Sequence, residues 1–149
     1  MTYRTLAEGS NRYAGWALRG RLAKGETVGL VMPNRPEFMA VWLGITRIGG
    51  VTALVNTNLI GQSLAHCIDI VSPKHVIVAA ELMGQFESIR SLMKTAPKVW
   101  THGADGEHRV DEAVQRQRRP AEDEQGPTLA VLPERRLAPA AQLRRPAVL

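Results

Sequence analysis

The chain has 149 residues, of which 44% are hydrophobic and 22% charged, with a formal net charge of +5 and a single cysteine, Cys67. This length suits one domain with a sizeable core, and the lone cysteine excludes an intramolecular disulfide. The N-terminus does not resemble a signal peptide, and no apolar run reaches the ~20 residues of a membrane span. We therefore expect a cytoplasmic chain, with peripheral attachment to a membrane as an open alternative. Residues 1–108 carry 11 basic and eight acidic side chains, and residues 109–149 carry eight arginines, no lysine and six acids, which argues against the clustered basic surface of a nucleic-acid-binding protein.

The first predicted element is an amphipathic helix over residues 4–22. Leu6, Ser10, Tyr13 and Ala17 fall on one face at helical spacing. Thr2 is a candidate N-cap, although Thr5 occupies the position where a capping box usually has Glu.

Four short β-rich runs follow, at residues 27–32, 51–56, 75–79 and 99–102. Between them lie helical patterns at residues 36–48, 61–71 and 81–93. Apolar strands that alternate with helices are typical of a parallel sheet covered on both faces. We therefore predict an α/β fold over residues 1–110, with a parallel sheet and helices on both of its faces.

Residues 111–149 are predicted to form an Arg/Pro/Ala-rich tail. Arg, Pro, Ala and acidic residues alternate there without a period of 2 or 3.6, and such a segment buries too little apolar surface to offset its ordering entropy. Its composition favours a shifted reading frame, and a natural flexible tail is the alternative.

Two segments approach catalytic motifs without completing them. The run from Gly20 through Gly25 to Thr27 has Glu26 where a phosphate-binding loop needs Lys, and it follows a helix instead of a strand. Ser63, His66 and Asp69 are spaced three apart on one predicted helix, whereas the members of a catalytic triad meet from separate loops. We predict a helix end with a turn for the first segment and an ordinary helix for the second.

Two histidine-containing segments are candidates for metal binding. His66 precedes Cys67, and a second segment contains His102, Asp105, Glu107 and His108. A structural zinc site needs four ligands in closely spaced pairs, so we predict a small core residue at Cys67 and a turn in the second segment.

The best placed polar residues follow the first two strands. Asn34, Arg35, Pro36 and Glu37 open one helix, and the Asn56–Asn58 run follows the next strand. Ligands approach the carboxyl ends of parallel strands, but a helix entry with exposed Arg35 and Glu37 is the simpler interpretation.

Four stretches carry a family resemblance: residues 27–38, 42–50, 51–59 and 63–67. In order, they resemble the N-terminal region of the ATP-dependent acid–CoA ligases of the adenylate-forming (AMP-binding) superfamily. Asn56-Thr57-Asn58-Leu59 and Ser63-Leu64-Ala65-His66-Cys67 resemble most closely the fatty acid transport protein branch of very-long-chain acyl-CoA synthetases. The family commonly has Arg after Asn-x-Asn-Leu, where this sequence has Ile60.

The resemblance covers residues 2–110. It implies that residues 1–110 form the N-terminal subdomain of an AMP-binding (adenylating) domain, and it also implies a parent reaction. In that reaction a fatty acid and ATP form an acyl-adenylate, which CoA then thiolyses, with Mg²⁺ bridging the phosphates. The family's phosphate loop, nucleotide contacts and lid lysine lie further along its sequence. We therefore assign no catalytic, cofactor-binding or metal-binding residue, and we expect neither ATP, Mg²⁺ nor CoA to bind this chain. Compared with the family, we also expect the chain to be truncated at both ends.

Three hypotheses remain open. The first is an N-terminal fragment of a long- or very-long-chain fatty acid–CoA ligase that is inactive alone and prone to self-association. The second is a stand-alone α/β binding or interaction module that uses the loops at Asn34 and Asn58. The third is a surface binder whose Arg-rich tail contacts anionic lipid or nucleic acid.

Limited proteolysis tests the predicted tail. Five prolines interrupt any long helix there: Pro120, Pro127, Pro133, Pro139 and Pro146. Trypsin should therefore cut beyond about Arg116 before it cuts the predicted strands, and mass spectrometry of the time course locates each cut. A tail as protected as residues 27–79 would contradict the prediction and favour a natural folded segment.

Overall fold

A computed structural model describes residues 2–103 and 108–116 of the chain. Helices and strands alternate through these residues, as the sequence predicts. In chain order the elements are α1 (Tyr3–Arg19), β1 (Thr27–Val31), α2 (Pro36–Arg47), β2 (Val51–Leu54), α3 (Gly61–Val71), β3 (His75–Ala79), a 3-10 turn (Ala80–Leu82), α4 (Met83–Glu87), β4 (Lys98–His102) and α5 (Val110–Gln115). Residues 117–149, where most of the predicted tail falls, lie outside the described part.

The four strands form one parallel sheet in the order β2-β1-β3-β4. Thr27 of β1 pairs with Val51 of β2, Val28 of β1 pairs with His75 of β3, and His75 pairs with Lys98 of β4. Parallel neighbours need long crossover connections, and the helices between successive strands provide them. The predicted parallel sheet is confirmed.

The central strands β1 and β3 are buried on both faces, and all five residues of β3 are buried. Helices α1, α2 and α5 cover one face, whose core includes Trp16, Val28, Leu30, Val41, Ile45, Ile77 and Val110. Helix α3 and residues 83–89 cover the other, whose core includes Val31, Leu64, Ile68, Val76, Val78, Phe86 and Ile89. Helices on both faces were predicted, and this too is confirmed.

Small residues let α1 and α2 pack closely. A methyl group on Gly44 would lie 2.5 Å from the Ser10 carbonyl oxygen and 2.9 Å from Tyr13 Cβ, and one on Gly9 would lie 3.2 Å from Ala40 Cβ. Contacts under 3.0 Å force atoms apart in a close-packed interior. Gly44 therefore sets the distance between the two helices and the position of Tyr13.

The N-terminus of α1 has the predicted cap. The Thr2 hydroxyl accepts a hydrogen bond from the Thr5 backbone N–H at 3.2 Å, and the Thr5 hydroxyl accepts one from the Thr2 N–H at 3.0 Å. Thr5 thus completes a capping box in place of Glu, because its hydroxyl also reaches the cap backbone.

The helix predicted over residues 81–93 is much shorter than expected. Helix α4 covers only Met83–Glu87, and turns follow it. Phe86 and Ile89 are nevertheless fully buried. Their apolar spacing therefore reflects packing against the sheet, which a series of turns also achieves.

Helix α5 was not predicted, because the tail was expected to begin at residue 111. Val110 and Val114, one turn apart, are buried against the core shared by α1 and α2. This two-residue signal is too short to identify a helix from the sequence alone.

Apolar side chains remain exposed along α2 and the edge strand β2. Trp42 is 37% exposed, Val51 49% and Leu54 43%. Within the described residues, β2 pairs only with β1. No helix in this part of the chain has the length and apolar character needed to cross a membrane.

The α1–α2 contact predicts a strong effect of one added methyl group. Gly44→Ala should lower the free energy of unfolding by about 1–3 kcal/mol, because the new Cβ overlaps backbone atoms of α1. Urea unfolding followed by tryptophan fluorescence measures the change. The matched control is Gly84→Ala in α4, where nothing lies within 4 Å of the added Cβ, so the same change should leave stability equal or higher by up to about 1 kcal/mol. Equal losses in both variants would contradict the packing argument.

Candidate functional site

The order of the strands reverses between β1 and β3, because the chain goes from β1 to β2 and then returns past β1 to β3. Ligands bind at the carboxyl ends of parallel strands at such a reversal. Arg35 follows β1, Glu81 follows β3, and β4 ends at His102. Charged and polar side chains from three strand ends therefore meet at one edge of the sheet.

Arg35 connects these three strand ends. Its Nη1 donates to Glu81 Oε1 at 3.0 Å, and its Nη2 lies 3.3 Å from His102 Nδ1. Only 29% of the Arg35 side chain is exposed, and its Nε has no hydrogen-bond partner in the described part of the chain. The expectation of an exposed Arg35 and Glu37 is wrong, because both are half-buried; residues distant in the sequence contact Arg35.

His102 continues the network to helix α1, where its Nε2 lies 3.0 Å from the Tyr13 hydroxyl. Because Arg has donors only, the Nδ1 of His102 must accept from Arg35. A neutral imidazole then carries its proton on Nε2, which donates to the Tyr13 oxygen. We call Arg35, His102 and Tyr13 the relay; each member donates to the next.

Burial and charge fix the protonation of the relay. Burial, followed by the nearby Arg35 charge, lowers the pKa of His102, so the ring is neutral near pH 7. Burial, reinforced by Asp111 and Glu37, raises the pKa of Tyr13 well above its ordinary value, so the phenol keeps its proton. Both groups therefore act as neutral hydrogen-bonding partners.

A cavity of about 600 Å³ opens beside the relay, between α1, α2 and α5. Tyr13 and His102 form its buried wall, and other lining residues come from all three helices: Thr5, Gly9, Arg12, Pro36, Glu37, Ala40, Asp111, Val114 and Gln115. Arg109 donates to Asp111 at 2.6 Å. Burial of Asp111 opposes ionisation, but the hydrogen bond and charge of Arg109 lower its pKa overall. Asp111 is therefore a carboxylate.

The two asparagine-containing loops border a second cavity, of about 310 Å³, where Asn34 lies across from Asn56 and Thr57. Asn56 Oδ1 accepts from the Asn58 N–H at 2.9 Å, which closes a local turn. Gln85 donates to the Thr57 carbonyl at 3.2 Å and also to that of Leu59. The sequence predicted that these loops follow adjacent strands, but no local pattern predicted that Gln85 would hydrogen-bond to the second of them.

The glycine-rich segment from Gly20 to Thr27 lies at the opposite edge of the sheet, where β1 begins. Lys74 Nζ contacts Glu26 Oε2 at 2.8 Å, and the Ala23 N–H donates to the same oxygen at 2.7 Å. These two bonds lower the pKa of Glu26. The helix end predicted here is present, with Gly20 as the C-cap of α1, and the loop presents a carboxylate where a phosphate would need a cation.

Ser63, His66 and Asp69 do not form a triad. Ser63 and His66 are exposed on successive turns of α3. Asp69 instead accepts from the Lys94 and Thr95 backbone N–H groups at 3.0 and 2.9 Å, and these bonds lower its pKa. The carboxylate therefore holds the loop that leads into β4.

In residues 2–103 and 108–116, no three His, Cys, Asp or Glu side chains are grouped closely enough to bind a metal ion. Cys67 is half-buried on α3. His102 belongs to the relay, and the His108 ring packs 5.8 Å from Trp100. Asp105 and Glu107 lie outside the described residues.

Many nucleotide-binding proteins have a parallel α/β sheet with polar residues where the strand order reverses. Comparison with known proteins identifies the class of this one. The profile of the family described as "AMP-binding enzyme" matches residues 1–148. The chain belongs to this family of adenylate-forming enzymes.

The relatives point to the branch that the sequence resembles. Long-chain fatty acid transport protein 6 of Mus musculus is 38% identical over 100 residues, which are 66% of this chain and 16% of that protein. The N-terminal domain of FACL13 from Mycobacterium tuberculosis is 28% identical, with a TM-score of 0.64 over 83% of this chain and 30% of that one. The long-chain-fatty-acid-CoA ligase FadD1 from Archaeoglobus fulgidus shares the fold at 18% identity, with a TM-score of 0.69 over 77% of this chain and 23% of its own. The chain thus spans less than a third of each of these proteins.

The buried histidines predict a pH-dependent stability. Burial is the main cause that lowers the pKa of both His75 and His102 below the ordinary value of 6.5. Below that value the unfolded chain binds protons that the folded chain does not, so the free energy of unfolding should fall as the pH falls from about 7 to 5. His102→Gln should flatten this slope in urea unfolding, whereas the control His66→Gln, at an exposed position, should not. The pKa values of Glu26, Asp69 and Asp111 are lowered, so these carboxylates stay ionised between pH 7 and 5. An unchanged slope in His102→Gln would contradict the assignment.

Proposed function

We propose that this chain forms the N-terminal subdomain of an ATP-dependent long- or very-long-chain fatty acid–CoA ligase and that it does not catalyse the reaction alone. In the parent reaction a fatty acid carboxylate attacks ATP to form an acyl-adenylate with release of pyrophosphate, and the thiol of CoA then displaces AMP to form the thioester. Fatty acid, ATP, Mg²⁺ and CoA are the partners of the complete enzyme.

The observation that carries this proposal is the match to long-chain fatty acid transport protein 6, at 38% identity over 100 residues. The fold supports it, because a parallel sheet of this kind also occurs in acyl-CoA ligases of known structure. The matched segment is only 16% of the relative, so the activity of the whole protein is an inference for this chain.

The residues that the structure describes do not fit a nucleoside triphosphate. In the described part, the segment closest to a phosphate loop presents Glu26, which already pairs with Lys74. A triphosphate needs backbone N–H groups and a lysine that point toward it. Arg35, the cation at the strand reversal, is committed to Glu81 and His102. These arrangements support an inactive fragment.

A stand-alone binding module is the second candidate function. The cavity between Asn34 and Asn56 favours it, because carbonyl and amide groups at two strand ends can hold a small polar ligand without catalysing a reaction. This candidate requires the chain to be self-sufficient as a folded unit.

Self-association and peripheral membrane contact belong to the first proposal. Trp42, Val51 and Leu54 expose apolar surface beside the edge of β2, and an edge strand without charged or proline residues invites pairing. Cytoplasmic localisation, with or without contact to a membrane, remains part of the same proposal.

An isotope-exchange assay tests catalytic competence. The purified 149-residue chain, with oleate, ATP and Mg²⁺, should show no acid-dependent exchange of pyrophosphate into ATP above a protein-free blank, because residues 2–103 and 108–116 present no fitting phosphate cradle. Full-length mouse fatty acid transport protein 6 serves as the comparison under the same conditions. Exchange by the chain that depends on oleate would overturn the proposed inactivity. Exchange by neither protein would call for replacing oleate with a longer acid before interpreting the result.

A further inference from the structure

The Tyr13 hydroxyl has a proton that the relay does not use. Its oxygen accepts from His102 Nε2, as the donor order from Arg35 requires. In the described part of the chain, Tyr13 makes no other hydrogen bond, although only 5% of the residue is exposed. A buried hydroxyl proton without an acceptor is costly. The proton is available to a group in the cavity that Tyr13 lines.

The rest of that cavity offers two kinds of charge and an apolar floor. Arg12 stands on the same helix as Tyr13, while Glu37 and Asp111 enter from α2 and α5. Both carboxylates contribute to the raised pKa of Tyr13, and Arg12 opposes them. Apolar groups complete the lining, from Pro36, Ala40 and Val114.

We propose that the cavity between α1, α2 and α5 binds a small zwitterion with an apolar body, such as a free aliphatic amino acid. The Tyr13 hydroxyl and Arg12 bind its carboxylate, and Glu37 binds its ammonium group, because Asp111 is already paired with Arg109. The volume of about 600 Å³ lies within the range of small-molecule sites.

The charges disfavour simpler ligands. A ligand that carries only a negative charge would lie beside the Glu37 carboxylate and would have no positive group to pair with it. A cation would leave the Tyr13 proton without an acceptor and would approach Arg12. A zwitterion satisfies both kinds of charge, because its carboxylate faces Arg12 and its ammonium group faces Glu37. This site is separate from the proposed ligase function and does not depend on it.

Backbone amide NMR of the 149-residue chain tests the site with L-leucine as the probe. Millimolar L-leucine should shift the amides of Gly9 and Ala40, which line the cavity, in a saturable way. Two matched compounds each lack one charge: 4-methylpentanoate lacks the ammonium group and 3-methylbutylamine lacks the carboxylate. Each should bind roughly tenfold more weakly or not at all. Equal binding of all three compounds, or no saturable shift with L-leucine, would overturn the proposal.

Paired variants locate the contacts. Tyr13→Phe should weaken L-leucine binding roughly fivefold, because it removes one hydrogen bond, whereas Tyr3→Phe on the exposed start of the same helix should not. Glu37→Gln should weaken binding by a similar factor, and Glu8→Gln, on the exposed side of α1, should not. If Tyr13→Phe loses its folded amide spectrum, the Glu37 pair decides the question. Undiminished binding in Glu37→Gln would refute the assigned ammonium contact and with it the proposal.

Discussion

The burial of β1 and β3 on both faces is the constraint on which the rest of the structure depends. A strand with no solvent-facing side needs helices above and below it, and parallel neighbours need those helices as crossovers. The order β2-β1-β3-β4 meets both needs, with α1, α2 and α5 on one face and α3 and α4 on the other. All four strands consequently end at the same edge, which is where the relay forms.

The close contact of α1 with α2 extends this constraint to the polar network. Gly44 allows the α1 backbone to approach α2, so Tyr13 of α1 reaches His102 at the end of β4. Arg35 then connects His102 to Glu81. Two apolar packing arrangements thus hold the relay in place. The sheet positions Arg35 and His102 at the ends of their strands, and the contact between α1 and α2 brings the Tyr13 hydroxyl to His102. The cavity beside the relay exists because α5 closes its third side.

The two edges of the sheet differ in chemical character. At the amino edge, Lys74 neutralises Glu26 and also donates to the Arg21 carbonyl, so that edge is a structural junction. At the carboxyl edge, Arg35 has an unpaired Nε in the described residues and Tyr13 an unused proton. Membership in the AMP-binding enzyme family accounts for the fold. It does not require that every polar group at the carboxyl edge serve the family's reaction, and the mixed charges of the α1–α2–α5 cavity are better suited to a zwitterion than to a triphosphate.

Local pattern was enough to determine the α/β class, the parallel sheet and its helix-covered faces, because strand–helix alternation is a feature of short segments. The family was indicated by a resemblance that extends over residues 27–67 and not by any single motif. The sequence also placed Arg35 and Asn56 at strand ends. It did not determine their partners: Glu81 lies 46 residues and His102 67 residues from Arg35, and no local pattern reports such distances. The length of α4 and the existence of α5 were likewise decided by packing, since Ile89 and Val114 are buried through contacts with elements far away in the chain. The cavity exists only in the tertiary structure, because folding brings α1, α2 and α5 together. In the sequence, its lining residues belong to two ordinary amphipathic helices and to the beginning of the predicted tail.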